Sequence, residues 1–237
     1  MRLRRLGAGS KGWSVFNLDA FKRSDKPFAH WVADDFIDAG LVHTINLWWP
    51  TESHTGWRIE GSAWAKKASL LFPHRLPLAA QQLAEQLNSP WALARLSELV
   101  GVDLLPDPWL HEGPDAPRLG GGLHEIHPGG KLNVHVDFEA HPSGLKRAAN
   151  LLVYLNEDWR DEWGGALELH GPKKARSIAP IGGRAVLFAT SPKSWHGHPQ
   201  PLVCPPDRSR RSLALYFYTR DDGKPQRATT VYRSKVR

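Results

Sequence analysis

The chain has 237 residues, of which 41% are hydrophobic and 23% are charged, as in ordinary soluble globular proteins and unlike disordered chains. Its formal net charge is +7, but the basic residues are dispersed apart from Arg2–Arg5 and Arg208–Arg211, so charge alone does not predict a nucleic-acid partner. Cys204 is the single cysteine, which excludes an intrachain disulfide and favours a reduced, cytoplasmic setting. Because no run of about 18 apolar residues is present, neither a membrane span nor a secretory signal is expected.

The first half of the chain carries the helical signals. Residues 33–42 have the spacing of a short amphipathic helix, and residues 76–99 are rich in Ala, Leu, Gln and Glu. Pro90 is expected to break the second segment into two helices, because proline cannot continue a helix interior. Four prolines and a Gly-Gly-Gly run predict a loop over residues 103–122.

From Gly122 onward the sequence predicts short strands separated by turn residues. The predicted strands are Leu123–His127, Leu132–Asp137, Ala149–Asn156, Ala166–His170, Arg184–Ala189 and Ser212–Thr219. Several short strands closed by tight turns predict a sandwich or a double-sheet barrel such as a jelly roll. We therefore expect a single domain over residues 1–237, in which a helical region (1–105) packs on a β core (106–225).

Two metal-binding residue types stand close together in the predicted strand Leu132–Asp137. Side chains alternate across a strand, so His135 and Asp137 share one face. An imidazole and a carboxylate at this spacing, completed by a third ligand from another strand, form a facial triad that leaves positions open on iron. The pair alone is weak evidence, because so short a motif recurs by chance.

His196 and His198 are the candidates for the third ligand. Both follow the apolar segment 185–188 and lie far from His135 in sequence, so they belong to a separate strand. As they are two residues apart, they can share a face, and the residues themselves leave the choice open. A packed or solvated histidine is the usual alternative for either position.

The last predicted strand is preceded by an arginine that is a candidate binding group for an anionic ligand. Arg210 shares its face with Ser212 and Ala214, small residues that leave room for a ligand carboxylate, which guanidinium binds bidentately. The alternative is a solvated arginine at the strand end. Tyr154 lies on the face of its strand that carries Asn150, where its phenol is placed to meet the same carboxylate, although a strand tyrosine more often contributes packing.

Together these residues resemble the prolyl-hydroxylase-like branch of the iron(II)/2-oxoglutarate dioxygenases over roughly residues 120–221. The resemblance rests on the order and spacing of several segments. They are His127-Pro-Gly-Gly, His135-Val-Asp137, Asn150 to Asn156 with Trp159, Trp163-Gly-Gly165, Ala185-Val-Leu-Phe188, Trp195-His196, and Arg210 with Ser212. The family fold implies a mostly β chain, namely a double-stranded β-helix (a jelly-roll or cupin-like barrel) preceded by N-terminal helices that act as a buttress.

The resemblance also implies roles for individual residues. It implies that His135, Asp137 and His196 are the iron ligands. It implies that Arg210 pairs with the distal carboxylate of 2-oxoglutarate, with Tyr154, Ser212 and His127 beside it. His127 falls where relatives often have a tyrosine.

The interval from His196 to Arg210 is wider than in many relatives of this branch. An inserted loop over residues 199–207 explains it. Arg208 and Arg211 are the alternative partners for 2-oxoglutarate, and strand phase disfavours Arg211.

The resemblance implies a dioxygenase that uses iron(II), 2-oxoglutarate and O2, with ascorbate as a candidate reductant. Such an enzyme hydroxylates an unactivated C–H bond of an amino acid, a peptidyl residue such as proline, or a natural-product intermediate, giving succinate and CO2. Related halogenases have a small residue in place of the carboxylate, so Asp137 favours hydroxylation or another oxidation. The alternatives are a non-catalytic, cupin-like metal-binding protein and a nucleic-acid-demethylating oxygenase.

The sequence leaves the primary substrate and the oligomeric state open, and we expect a small-molecule or peptide substrate and no membrane. The Trp-rich stretch around Trp48 and Trp49, with Trp57 and Trp64, is a candidate lid or substrate wall. An aromatic cluster packed within the helical region is the alternative.

Overall fold

Strands make up most of the regular structure in this computed structural model, which describes residues 4–5, 13–51, 56–70, 76–106, 121–224 and 226–233. The strands are β1 (Arg4–Arg5), β2 (Trp13–Ser14), β3 (Lys22–Ser24), β4 (His30–Ala33), β5 (Trp57–Gly61), β6 (Ala65–Leu70), β7 (Gly122–Ile126), β8 (Lys131–Val136), β9 (Leu145–Tyr154), β10 (Leu167–His170), β11 (Ala175–Ile178), β12 (Ala185–Ala189), β13 (Trp195–His198), β14 (Arg210–Arg220) and β15 (Val231–Tyr232). The α-helices are α1 (Ala39–Leu47), α2 (Leu78–Leu87) and α3 (Pro90–Val100).

The first helix begins later than predicted. The Asp38 side chain caps α1 by accepting a hydrogen bond from the Leu41 N–H at 2.8 Å. The predicted helical segment 33–42 is therefore wrong at its start, because Ala33 ends strand β4, where it pairs with Ala185 of β12. Sheet pairing thus overrides the local helical spacing.

The predicted break at Pro90 is confirmed. Ser89 caps α3, since its hydroxyl accepts a hydrogen bond from the Ala92 N–H, and Pro90 takes the first helical position, where an N–H would have no partner. The helix ends at Gly101, whose φ of 81° is the left-handed conformation that glycine adopts without strain.

The main sheet is antiparallel and curls into a double-stranded β-helix, which confirms the predicted fold class. Its strands follow the order β11-β10-β13-β8-β6-β7-β14-β9-β12-β4-β3, with β15 paired to β8 and β5 paired to β6. The six predicted strands are present as β7, β8, β9, β10, β12 and β14, with their ends shifted by up to four residues. Strand β11 was not predicted, and β13, for which no bounds were predicted, is the separate strand expected to carry the candidate histidines.

The two faces of the sheet have different roles. Leu151 of β9 and Leu213 of β14 pack in one hydrophobic cluster with Ile45, Leu83 and Leu96 from the three helices. Side chains alternate along a strand, so the residues immediately before and after each of these two leucines point to the barrel interior. The helices therefore cover the outer face, as expected of a buttress, and the inner face carries polar groups beside a second apolar cluster that includes Val186 and Phe188.

The region before residue 106 is not only helical, which departs from the prediction for residues 1–105. Strand β4 pairs with β12, and β6 lies between β7 and β8 in the sheet. The predicted loop over residues 103–122 falls mostly on residues 107–120, which lie outside the described residues. The helices among the described residues lack the length and apolar character needed to cross a bilayer.

Candidate metal centre

Strand pairing brings the three candidate metal ligands together. Strands β8 and β13 are antiparallel neighbours, and His135 stands directly opposite His196 in their register. The Nε2 atom of His135 lies 3.6 Å from Asp137 Oδ1, and the Nε2 atom of His196 lies 3.5 Å from Asp137 Oδ2. One donor atom from each residue lies within 4.8 Å of the other two. A single cation is therefore within reach of all three side chains.

Backbone carbonyls fix the orientation of both imidazoles. The Nδ1 atom of His135 is 2.8 Å from the carbonyl oxygen of Asn133, and that of His196 is 2.9 Å from the carbonyl oxygen of Ser194. A carbonyl can only accept, so each Nδ1 carries the proton and donates it. Each Nε2 then keeps a lone pair that points to Asp137, which is the tautomer that binds metals.

The protonation of the site also suits a cation. Burial opposes ionisation of Asp137, but the Arg147 guanidinium and the two histidines outweigh it and hold the pKa of this carboxyl well below its usual value. Burial, with His135 close by, lowers the pKa of His196 to about 4. At neutral pH the site therefore presents a carboxylate and a neutral His196, the forms that bind a metal.

A buried pair of side chains on β9 positions the Asp137 carboxylate. Asn150 Nδ2 donates to Asp137 Oδ2 at 2.8 Å, and Arg147 Nη2 lies 3.3 Å from the same oxygen. Arg147 Nε in turn donates to Asn150 Oδ1 at 2.7 Å. Outer contacts of this kind orient a metal-ligating carboxylate.

Arg147 reaches this position because of a β-bulge. Asn150 pairs with Tyr216 in regular register, but the register shifts after Phe217, so that Tyr218 pairs with Arg147 and Ala148 is the extra residue. The bulge leaves Arg147 on the same face as Asn150, whereas strict alternation would place it on the other face. The sequence therefore contained no simple signal for Arg147.

The candidate co-substrate cation Arg210 is buried inside the barrel. Its Nε donates to the carbonyl oxygen of Gly165 at 2.7 Å, and its Nη2 lies 3.4 Å from the Tyr154 hydroxyl. Among the described residues it has no carboxylate partner, and burial lowers the pKa of the guanidinium. A buried guanidinium without a counterion is a strong binding group for a ligand carboxylate.

Four interior residues lie side by side on neighbouring strands of the barrel, next to Arg210. Ser69, His124, Ser212 and Tyr154 are successive cross-strand partners on β6, β7, β14 and β9, so they share the inner face. Ser212 and Tyr154 therefore lie where the resemblance implied, next to Arg210. His124 is an interior residue that the sequence analysis missed.

His198 lies in the same pocket and is not brought into the metal cluster. It is buried, and among the described residues neither of its ring nitrogens has a hydrogen-bond partner. Burial lowers its pKa, and the charges of Arg210 and Lys67 act in the same direction. The structure thus favours His196 as the third ligand, and it leaves the His198 ring nitrogens available to a polar ligand.

Both alternatives to Arg210 lie outside the barrel interior. Arg211 is on the opposite face, where its Nε donates to Glu125 Oε1 at 3.0 Å, as strand phase predicted. Arg208 is largely exposed and lies near Asp207. His127 is not brought to the pocket either, because its Nε2 lies 3.9 Å from Glu125 Oε2 on that same outer side.

The loop between β13 and β14 closes the Arg210 end of the pocket. The backbone N–H of Leu202 donates to Gly130, and Leu202 packs with Ile126 and Cys204. Gly165 has a φ of 74°, and a Cβ there would lie 2.7 Å from Leu202 Cδ2 and 3.0 Å from Arg210 Cδ. Only glycine allows the chain to approach Arg210 this closely.

These groups fit iron(II) with 2-oxoglutarate. Two imidazole nitrogens and one carboxylate oxygen are the donor set of non-haem iron oxygenases, and they leave coordination positions for other ligands. The Arg210 guanidinium, which has no carboxylate partner among the described residues, lies in the same barrel interior as the His198 nitrogens, which have no hydrogen-bond partner there. A dicarboxylate bound there would satisfy both the open metal positions and the buried cation.

Comparison with known proteins agrees with this geometry. Residues 121–218 match the family model of the 2OG-Fe(II) oxygenase superfamily, whose members use iron(II), 2-oxoglutarate and O2. No curated protein matches the chain significantly.

Solved structures with this fold include several oxygenases. A Pseudomonas putida prolyl-4-hydroxylase has a TM-score of 0.59 and 16% identity, with 81% of this chain and 92% of that chain covered. A Trichoplax adhaerens prolyl hydroxylase, in complex with a hypoxia inducible factor peptide fragment, has a TM-score of 0.56 and 18% identity, with 80% and 83% covered. HygX from Streptomyces hygroscopicus, with nickel and 2-oxoglutarate bound, has a TM-score of 0.50 and 14% identity, with 81% and 83% covered.

The matched segment contains Arg210 and both strands that carry the candidate metal ligands. Over residues 121–218 this chain is similar to the 2OG-Fe(II) oxygenase superfamily.

Proposed function

We propose that this protein is a dioxygenase that hydroxylates an unactivated C–H bond in an amino acid, a peptidyl residue such as proline, or a natural-product intermediate. One observation carries the proposal: the ligand atoms of His135, Asp137 and His196 converge within 4.8 Å in a barrel that also buries Arg210. The structural similarity to two prolyl hydroxylases supports a prolyl or proline-like substrate among these classes.

Each group in the site has a distinct task in this reaction. His135, Asp137 and His196 would hold iron(II), while Asn150 and Arg147 keep the Asp137 carboxylate in place. When bound with 2-oxoglutarate and O2, iron(II) would supply the oxidising chemistry, in which 2-oxoglutarate loses CO2 and takes one oxygen atom to become succinate, and the other oxygen atom enters the substrate C–H bond.

The protein also positions the co-substrate and keeps water away. Arg210 binds the distal carboxylate of 2-oxoglutarate, and the Tyr154 hydroxyl beside it limits the pose of that carboxylate. Phe188, whose ring centroid lies 4.7 Å from that of His196, places an apolar ring beside this candidate ligand. Exclusion of water strengthens the ionic contact at Arg210, because the effective dielectric constant is low there.

The test measures succinate from the purified protein with iron(II), ascorbate and 2-oxoglutarate in air. We expect slow succinate formation that depends on iron(II), and faster formation with an accepted prolyl peptide or amino acid. Asp137→Ala should abolish both, since it removes one of three ligands. A non-catalytic metal-binding protein would bind iron and form no succinate, and that result would refute the proposal.

Arg210→Met separates co-substrate binding from metal binding. We expect it to raise the Kd for 2-oxoglutarate by about a hundredfold, because a charge-assisted bidentate contact in a buried site is lost. Iron affinity without 2-oxoglutarate should remain unchanged. Arg208→Met, two residues away and largely exposed, is the matched control and should change neither affinity.

A further inference from the structure

A lysine from outside the matched family segment lies at the inner face of the barrel. On β6, Leu70 packs in the hydrophobic cluster with the helices, whereas Ser69 lies in the interior row opposite His124. Alternation places Lys67, two residues before Ser69, on the interior face as well. Lys66, the next residue on this strand, is exposed.

Strand register places Lys67 one row from Arg210. Ala68 pairs with Glu125 on β7, so Lys67 stands beside Ile126, and Ile126 pairs with Arg210 on β14. Lys67 and Arg210 therefore flank Ile126 on the same inner face. The charge of Lys67 also acts on Asp137, so the ammonium group is within electrostatic range of the metal site.

Lys67 has no carboxylate in direct contact among the described residues. It is partly buried and forms no hydrogen bond or ion pair there, although Glu60 stands opposite it on β5. The Glu60 carboxylate accepts a 3.5 Å hydrogen bond from the Tyr232 hydroxyl and acts on Lys67 through its charge without direct contact. A partly desolvated ammonium that lacks a direct hydrogen bond would bind an anionic ligand at this position.

Two stacked aromatic rings lie beside the metal ligand His135. The ring of Tyr232 lies 5.4 Å from that of His135, and Trp64 stacks on Tyr232 at 5.9 Å with an interplanar angle of 20°. Trp64 is three residues before Lys67 and is 37% exposed, so the stack reaches the surface. Flat or ring-shaped groups pack favourably on such a stack.

We propose that Lys67, Trp64 and Tyr232 form the subsite that binds the primary substrate, with the ammonium holding a carboxylate and the two rings holding a flat or cyclic body. The inference rests on the proposed oxygenase function and specifies its substrate class, a ring-bearing carboxylate. Arg210 is left to the co-substrate, because it lies on the other side of Ile126 and bonds to Tyr154. A single ammonium suits a monoanionic carboxylate better than a phosphate, which favours several donors.

The experiment uses the full chain loaded with Mn(II) and saturated with 2-oxoglutarate under anaerobic conditions. Benzoate, and separately its uncharged counterpart benzamide, are titrated by calorimetry, so the readout is binding and not turnover. We expect saturable benzoate binding that is about tenfold or more tighter than benzamide binding, the increment of one charge-assisted contact. The pair L-proline and L-prolinamide should show the same preference.

Lys67→Met should remove the preference for benzoate while the Kd for 2-oxoglutarate stays within about twofold. Lys66→Met is the matched control, since it removes the same charge from the exposed face of the same strand, and it should keep the preference. Retained 2-oxoglutarate binding shows that a variant is folded. Lys67→Gln replaces Lys67→Met if the latter does not fold.

Three outcomes would overturn the subsite: no saturable benzoate binding to the wild type, an unchanged preference in the Lys67 variant, or a loss of 2-oxoglutarate affinity in that variant. The last result would make Lys67 a co-substrate ligand. Failure of the oxygenase proposal looks different, because wild-type protein with Mn(II) would then not bind 2-oxoglutarate at all.

Discussion

Buried histidines give the metal-free site a distinct pH response. His196 has a pKa of about 4 in the folded chain, below its ordinary value of 6.5. Burial also lowers the pKa of His30, His124 and His198. Between pH 6.5 and 4 the unfolded chain therefore binds more protons than the folded chain, so the free energy of unfolding falls as the pH falls.

The expected result for metal-free protein is a loss of stability from pH 7 to pH 4.5, of about 2 kcal/mol from His196 alone. Urea unfolding in the presence of a chelator measures it. His196→Asn should reduce the slope of the unfolding free energy against pH, by an amount that corresponds to roughly one bound proton. An unfolding free energy that is flat over this range would contradict the neutral, buried imidazole on which metal binding depends.

At the scale of elements, the turn before β10 packs closely against Arg210. Gly164 and Gly165 both have a φ of 74°, but a Cβ at Gly164 would meet nothing within 4 Å. A Cβ at Gly165 would press on Leu202 and Arg210. Substitution of either glycine would therefore strain the backbone. Only a side chain at position 165 would also contact the pocket residues.

We expect Gly165→Ala to weaken 2-oxoglutarate binding by about tenfold, since overpacking of this kind costs about 1–3 kcal/mol and displaces the guanidinium. Gly164→Ala should lower the melting temperature through backbone strain and leave 2-oxoglutarate affinity unchanged. Calorimetric titration and thermal unfolding of both variants separate the effects. Equal loss of affinity in the two variants would mean that strain, and not contact with Arg210, governs the pocket.

At the scale of the whole molecule, the region before residue 106 is part of the barrel. Strand β6 joins β7 to β8, and β8 carries His135. The cluster that includes Leu83 and Leu96 also contains Leu151 and Leu213, so helices and sheet share one core. We propose on this basis that the chain folds as a single domain.

We therefore expect a fragment of residues 106–225 to lack a cooperative unfolding transition and to bind neither Mn(II) nor 2-oxoglutarate. Without β6, the edges of β7 and β8 lose their partners, and the leucines of β9 and β14 are exposed to water. Circular dichroism during urea unfolding, with the full chain as reference, tests this. A fragment that unfolds cooperatively and binds 2-oxoglutarate would show that the core folds independently of the first 105 residues.

Several features of the site could be predicted from the sequence because they depend on local alternation. The shared face of His135 and Asp137 follows from strand periodicity, and so does the separation of Arg210 from Arg211. Arg147 could not be predicted, because the bulge at Ala148 breaks that periodicity. The third ligand could not be chosen by periodicity either, as His196 and His198 have the same phase.

The sequence by itself determined which chemistry is available: the donor types, their phase on each strand, the break at Pro90 and the order of the family segments. Only the tertiary structure decided which distant groups meet. Register across β8 and β13 set His196 opposite His135, and pairing through β6 and β15 brought Lys67 and Tyr232 to the same interior. The physical reason is that local periodicity depends on adjacent residues, whereas register and curl depend on the packing of the entire sheet.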